Sequence, residues 1–301
     1  MNNLTLRQLR YFEAVARHGH FGRAAEACAI SQPALSMQIK DLEEALGAAL
    51  FERSPRQVRL TALGEAFAGR VRDILRAVDD LGALARASRQ GLAGRLRLGV
   101  IPTIAPYLLP RIVRELSEAY PGLDLRLHEA LTQTLLRDLA EGRLDLALVA
   151  LPVSEASLTE VPLFTEDFVL VRPAGDADQP APTREMLRDM RLLLLEEGHC
   201  FRDQALSFCQ VHAAIPWDLM EGSSLSTLVQ MVSAGIGVTL IPEMAIPLET
   251  GSAAVSVARF RDPRPSRTIG MIWRAQNPMA DQLMAVADAV RHVAEASGEA
   301  P

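Results

Sequence analysis

The chain has no apolar run approaching the twenty residues that a membrane-crossing helix needs, so no transmembrane segment and no membrane partner are expected. Its opening residues, MNNLTLRQLRYF, lack the apolar centre of a secretory signal peptide, and a cytoplasmic protein is expected. Cysteine is scarce: Cys28, Cys200 and Cys209 among 301 residues. Structural disulfides are disfavoured in the cytoplasm. A close cysteine pair there points to catalysis, metal binding or redox sensing rather than to a staple. Lysine is scarcer still, with Lys40 alone. Positive charge is not in surplus either: the net charge is −6, which argues against nucleic-acid binding when taken over the whole chain.

Divided at residue 90, the charge changes sign. Residues 1–90 hold 13 basic and 10 acidic side chains, a net +3, and the remainder nets −9. A mildly basic head on an acidic body is the asymmetry expected of a DNA-reading module joined to something else. At 49% hydrophobic and 23% charged residues the composition is that of a globular protein, and the length allows two or three cores.

In the head, LTLRQLRYFEAVARHG places Leu6, Leu9, Phe12, Val15 and Ala16 at helical spacing before Gly19. FGRAAEACAI follows as a short second helix. In SQPALSMQIKDLEEALG, Ser31 is an N-cap, Pro33 suits the first turn and Gly47 lies just past the end. Leu35, Ile39, Leu42 and Leu46 form the buried stripe, leaving Gln32, Ala34, Ser36, Gln38 and Lys40 on or near the free face. A helix with an uncharged polar N-terminal face after a tight turn suits the major groove, where glutamine addresses adenine bidentately and alanine touches a thymine methyl; periodicity alone fits an ordinary helical bundle with solvated polar faces equally well. LFERSPRQVRLT then reads as a hairpin turning at Ser54-Pro55, with Arg53, Arg56 and Arg59 on it, a wing for phosphates or the minor groove.

From Thr61, a helix is expected to about Ser88. Its apolar positions Leu63, Phe67, Val71, Ile74, Val78, Leu81 and Ala85 step by threes and fours, a heptad-like seam suited to pairing with a second copy or, in the other reading, to a helix lying on its own domain. RQGLAG, residues 89–94, reads as a hinge. Beyond it, strands and helices alternate, which implies two α/β lobes with mainly parallel sheets and a cleft at the strand ends. DFVLVRP is expected to begin the second lobe, and RTIGMIW with the helix from Met279 to Ala296 to return to the first. Thr103 and Thr132 stand where helices begin at this cleft, as N-caps or as hydroxyls offered to a small polar ligand.

Cys200 follows the strand RLLLLEE and the loop Gly198-His199, with a helix expected to begin near Arg202–Asp203. A thiol there feels the helix dipole, and His199 and Arg202 add positive charge, all favouring thiolate. Phe201, Ala205 and Phe208 are the apolar positions that would tie the segment to its lobe. If the segment is helical, Cys200 and Cys209 lie ~13 Å apart at about 1.5 Å per residue, whereas a disulfide needs roughly 7 Å or less between Cα atoms. A pair that bonds only by refolding suits a switch. Two other readings stand beside it: inert buried thiols, or a metal site with His199 and His212, although that spacing matches no compact zinc pattern. Cys28 reads as core packing.

The stretch AAEACAISQPALSMQIKDLEEALGAALFERSPRQVRLTALGEAF resembles the DNA-binding signature of LysR-type transcriptional regulators. The resemblance implies a winged helix-turn-helix domain over residues 1–61, a linker and dimerisation helix with hinge over 62–90, and an effector domain of two periplasmic-binding-protein-like α/β lobes over 91–301. DNA contacts would fall to Ser31, Gln32, Pro33, Ala34, Ser36, Gln38, Lys40, Arg53 and Arg56. GVIPTIAPYLLP, LHEALTQTLL, EEGHCFRDQALSFC and RTIGMIW further resemble the peroxide-sensing branch of that family, a likeness that runs through nearly the whole chain. It implies a peroxidatic Cys200, a resolving Cys209 and a redox disulfide between them. His199, Arg202 and Asp203 would shape the pocket, and Thr103 and Thr132 would position peroxide. Phe201 stands where that branch commonly has leucine.

These resemblances lead to a non-enzymatic regulator that binds pseudo-palindromic double-stranded DNA in both redox states and responds to hydrogen peroxide. RNA polymerase is an expected partner, with a homodimer through residues 62–88 and a homotetramer above it; no cofactor and no metal are expected. Two rivals are a regulator that senses an organic metabolite in the cleft, with silent cysteines, and a thiol peroxidase, in which the helix-turn-helix would have no purpose.

Overall fold

The computed structural model describes residues 4–53, 58–87, 92–209 and 221–298. The Ser54-Pro55 turn, Arg56, His212 and the start of the expected hinge fall outside the described residues. The chain divides into two compact units, Met1–Ala85 and Arg86–Pro301.

In the first unit, α1 (Leu6–His18) opens with a capping box between Thr5 and Gln8 and stops at Gly19, whose φ of 57° is left-handed. Helix α2 (Phe21–Ala27) is capped by the His20 ring, which accepts from Gly22 N. Helix α3 (Gln32–Leu46) has Ser31 as N-cap, Pro33 in its first turn and Gly47 as its left-handed C-cap. Leu35, Ile39 and Leu42 are fully buried beneath it. The wing strands β1 (Phe51–Arg53) and β2 (Val58–Leu60) pair antiparallel. Glu43 ties the wing to α3, its Oε1 accepting from Leu50 N at 2.8 Å and Phe51 N at 3.1 Å. Phe12 fills the centre, with its ring 5.2 Å from Phe51 and 5.1 Å from Phe67.

Helix α4 (Ala62–Ala87) begins where Thr61 Oγ1 accepts from Gly64 N at 2.9 Å. Gly64 lets its first turn lie against the wing: a Cβ there would stand 2.1 Å from the Leu50 carbonyl oxygen. The expected seam is not one unpaired stripe. Val71 is buried in the head's own core and Phe67 packs against it, while Leu63, Ile74 and Leu81 are 49%, 46% and 66% exposed. At about 100° per residue these last three fall within roughly 20° of one line, and Val71 lies some 80° around the helix. One flank serves the head and the neighbouring flank is open.

The second unit starts with β3 (Gly94–Val100), α5 (Ala105–Ala119), β4 (Leu123–Glu129), α6 (Thr132–Ala140) and β5 (Leu146–Leu151), a parallel layer in the order β4-β3-β5. The long β6 (Leu158–Pro173) follows. Next come β7 (Leu192–Leu195), α7 (Cys200–Cys209), β8 (Glu221–Gly222), α8 (Leu225–Ser233), β9 (Val238–Pro242), α9 (Ile246–Glu249), β10 (Val255–Arg259), β11 (Ser266–Arg274) and α10 (Ala280–Gly298).

The mainly parallel expectation holds at the flanks and fails at the centre. β6 runs antiparallel to β11 along Leu158–Asp167, then antiparallel to β9 and β10 along Phe168–Pro173. A single strand thus belongs to both lobes. The strand foreseen from Asp167 at DFVLVRP begins at Leu158 instead, because its first half is needed to complete the first lobe's sheet. Helix α10 returns to the first lobe against α5, with Leu283, Val286, Ala287 and Val290 buried.

Candidate redox site and DNA-reading face

Four buried leucines of β7 carry the chain into the interior and end at Leu195. Gly198 then makes the turn with φ of 96°, and a Cβ there would press to 3.0 Å from Leu131 Cδ1. Cys200 is the first residue of α7, so the helix begins two to three residues earlier than expected. The thiol is free and partly exposed, and it sits in the turn whose amide N–H groups have no intrahelical acceptor. Phe201 and Ala205 are buried in the second lobe's core and Phe208 packs on its edge, as the apolar spacing foresaw.

The charges beside Cys200 differ from expectation. His199 is half-buried, and burial pushes its pKa below the ordinary 6.5 against the opposing pull of Glu196. Burial thus disfavours the charged imidazolium beside the thiol. Arg202 is buried, donates to the Leu195 carbonyl at 2.9 Å and is ion-paired with Glu221. Its charge is committed to holding β7, α7 and β8 together. Asp203 is exposed on the rim of the cleft that Cys200 lines. The helix terminus supplies positive potential at this thiol.

Neither threonine is an N-cap. Ile104 precedes α5 and Leu131 precedes α6, and neither supplies a side-chain cap. Thr103 is buried, with its hydroxyl accepting from Arg267 Nη1 at 2.8 Å and its carbonyl from Nη2 at 2.9 Å. Arg267 also pairs with Glu166 at 2.7 Å, and Glu166 accepts from Met244 N at 3.3 Å. Burial pushes Glu166 up while Arg267 and that amide pull the other way. The Thr132 hydroxyl is buried and has no hydrogen-bond partner among the described residues, and the same holds for Gln204 Oε1.

Thr132, Cys200, Asp203 and Gln204 line one open cleft of about 360 Å3, with Leu151 and Pro152 as its apolar wall. Thr103, Thr132, His199 and Cys200 also border a recess too tight for a water-sized sphere. The structure therefore gathers Thr103, Thr132, His199, Cys200 and Asp203 around two neighbouring spaces that share Thr132, Gly198 and Cys200, and turns the guanidinium of Arg202 to Glu221. Sequence reasoning missed Arg267, Glu166 and Gln204. A signal was present for the first: an arginine heading the apolar run TIGMIW on a strand whose neighbours are buried requires an internal partner. Among the described residues no three metal-ligating side chains gather.

Cys209 is the last residue of α7. Nine residues of helix separate the two cysteine positions by ~13 Å and about two and a half turns, which puts them on opposite sides of the helix. Disulfide geometry requires α7 to unwind.

In the head, Ser31, Gln32, Pro33 and Lys40 are exposed on α3 and Ala34, Ser36 and Gln38 are partly so. Lys40 is paired at i,i+4 with Glu44 at 3.4 Å. Met37, not singled out from the sequence, is 58% exposed on the same helix. Arg53 ends β1. Cys28 is the C-cap of α2, packed on the head's core, with burial pushing its thiol pKa up and Arg17 opposing.

Comparison with known proteins agrees with this architecture. Residues 6–65 match the family model described as the bacterial regulatory helix-turn-helix protein, lysR family, and residues 89–295 match the LysR substrate binding domain. The chain is 46% identical over 291 residues to the "probable hydrogen peroxide-inducible genes activator" of Streptomyces viridosporus, covering 95% of this chain and 93% of that protein. A solved full-length OxyR variant from Pseudomonas aeruginosa, with an aspartate in place of a cysteine, aligns with a TM-score of 0.77 at 39% identity, covering 96% of this chain and 95% of that one. A cysteine-substituted OxyR from Corynebacterium glutamicum with hydrogen peroxide bound aligns with a TM-score of 0.68 at 35% identity, covering 97% and 93%. The chain belongs to the LysR family of bacterial transcriptional regulators and, within it, to the OxyR group.

Proposed function

We propose that this regulator senses hydrogen peroxide through Cys200 and passes the signal to DNA by closing a disulfide with Cys209. The observation that carries the reading is the position of Cys200: first residue of a helix, on a cleft it shares with the Thr132 hydroxyl, which has no partner among the described residues, at the far end of the same helix from Cys209. The Cys200 thiolate attacks one peroxide oxygen, the O–O bond breaks, and the departing hydroxide takes a proton to leave as water. Cys200 is left as a sulfenic acid. The Cys209 thiolate then attacks that sulfur, the S–O bond breaks, the departing hydroxide takes up the proton given up by the Cys209 thiol to leave as a second water, and a disulfide forms. Two thiols are oxidised and one peroxide is reduced to two waters, without turnover, so the protein acts as a regulator and not as an enzyme.

Thr132 supplies a hydrogen bond to peroxide, and Thr103 completes the recess while anchored by Arg267. Asp203 and His199 border the approach. Closing the disulfide unwinds α7, and the second lobe repacks around Phe201 and Phe208. Through the open flank of α4 the protein pairs as a homodimer, presenting two copies of Gln32, Ser36 and Arg53 to a pseudo-palindromic duplex, and two dimers form a tetramer. It works in the cytoplasm and acts with RNA polymerase.

The test is peptide mapping after a brief, sub-stoichiometric peroxide exposure. A Cys200–Cys209 crosslink in the wild type, and a trapped sulfenic acid at Cys200 in Cys209→Ser, are expected. Both thiols intact while an organic metabolite shifts DNA binding would replace this reading with metabolite sensing; multiple turnover with a thiol reductant would make it a peroxidase.

A further inference from the structure

The C-terminal end of α7 is held from outside the helix. Arg184 lies in the turn ahead of β7, and its Nε donates to the carbonyl oxygen of Phe208 while Nη2 donates to that of Ser207 at 3.1 Å. These carbonyls belong to the last turn, which has no intrahelical donors, at the negative end of the helix dipole. The Arg184 guanidinium carbon also stands 5.4 Å from the centroid of the Phe208 ring, and that ring meets Phe260 edge-on at 5.4 Å. One side chain therefore binds the backbone next to Cys209 and stacks on the residue before it.

We propose that Arg184 is a positioning residue for the thiol–disulfide step, holding α7 wound and so setting how readily Cys209 reaches Cys200. The inference rests on reading the cysteine pair as the switch. To bring the two Cα atoms from ~13 Å to within roughly 7 Å, at least one end of α7 must come undone. The N-terminal end is fastened by buried Phe201 and Ala205 and by the Arg202–Glu221 pair. The C-terminal end is fastened by Arg184 and the ring it covers. Its fork fits two helical carbonyls and loses that fit when the last turn unwinds. The interaction stabilises the reduced form and not the bridged one.

Two quantities test this in the full-length protein. Thiol occupancy after equilibration in reduced and oxidised glutathione gives the midpoint potential; quenched-flow alkylation gives the rate of disulfide closure after peroxide. In Arg184→Met the midpoint is expected to move to a more negative potential, with the oxidation equilibrium raised about tenfold or more, the weight of a charge-assisted pair of hydrogen bonds. Closure is expected to accelerate. The rate of sulfenic acid formation at Cys200, measured in the Cys209→Ser background, is expected to stay unchanged, because Arg184 acts at the other end of the helix. Arg184→Lys keeps the charge without the fork and is expected to fall between the two; it carries the test if the methionine variant does not fold. Equal midpoints and closure rates in wild type and variants overturn the role of Arg184. Absence of any Cys200–Cys209 disulfide in the wild type overturns the switch reading itself, and this proposal with it.

Discussion

The guanidinium of Arg267 lies over the ring of Phe201, 5.4 Å from its centroid. Phe168 meets the same ring edge-on at 4.7 Å. The residue immediately after Cys200 is thus gripped between an aromatic core and a buried cation that also binds Thr103 and Glu166. Phe168 in the middle of β6 and Arg267 near the start of β11 thus meet on one ring, so displacing Phe201 disturbs both strands. Phe201→Ala is expected to destabilise the reduced protein by about 3–5 kcal/mol, read from urea unfolding. Phe201→Leu removes the ring contacts with less loss of volume and is expected to cost less, about 1–2 kcal/mol.

The two cleft threonines separate by experiment because their hydroxyls are differently employed. Thr103→Val deprives buried Arg267 of an acceptor and is expected to lower stability by about 1–3 kcal/mol. Thr132→Val removes a hydroxyl that has no protein partner among the described residues, so unfolding should change little. Peroxide oxidation of Cys200 should nevertheless slow by about tenfold in Thr132→Val, the loss of one hydrogen bond to the reacting molecule. Unchanged kinetics would show that this hydroxyl does not touch peroxide.

His199 carries a pH signature. Its folded pKa lies below the ordinary 6.5, so below that value the unfolded chain takes up a proton that the folded chain resists. Its contribution to stability is full above pH 6.5 and is lost as the pH falls through that value toward the folded pKa. Urea midpoints at pH 7.5 and 5.5 should differ more in the wild type than in His199→Gln. The same slope in both would place the titrating group elsewhere.

On DNA, Gln32→Ala is expected to relax base preference at a cost of about 1–3 kcal/mol for the preferred site. Arg53→Ala should weaken binding to all sequences alike and flatten its salt dependence, since a lost phosphate contact releases fewer counterions. Binding isotherms at three salt concentrations, with specific and scrambled duplexes, distinguish the two. Wild-type behaviour in both variants would exclude these residues from the interface.

The open flank of α4 predicts the assembly. Ile74→Asp and Leu81→Asp place charges on side chains that the head leaves 46% and 66% exposed. Sedimentation should show dissociation toward monomer with helical content unchanged. A dimer of wild-type strength would move the interface off this helix.

Local chemistry was legible in the sequence. Caps such as Ser31 and Gly47, the stripe of Leu35, Ile39 and Leu42, and the spacing of Phe201, Ala205 and Phe208 depend on residues three or four apart, and the helices form where those signals lie. The separation of Cys200 from Cys209 likewise follows from nine residues of helix. What tertiary structure decided was which polar groups met which. Arg267 and Glu166 lie 101 residues apart in the chain and become partners only because β6 and β11 pair antiparallel. The same folding gave Thr103 a donor and left Thr132 without one among the described residues, spent the charge of Arg202 on Glu221, and lowered the pKa of His199 by desolvation. It also divided the α4 seam between the head's core and an open flank. Sequence spacing sets which side chains share a face; burial and the long-range company of each polar group set its charge and its chemistry, and both are properties of the folded chain alone.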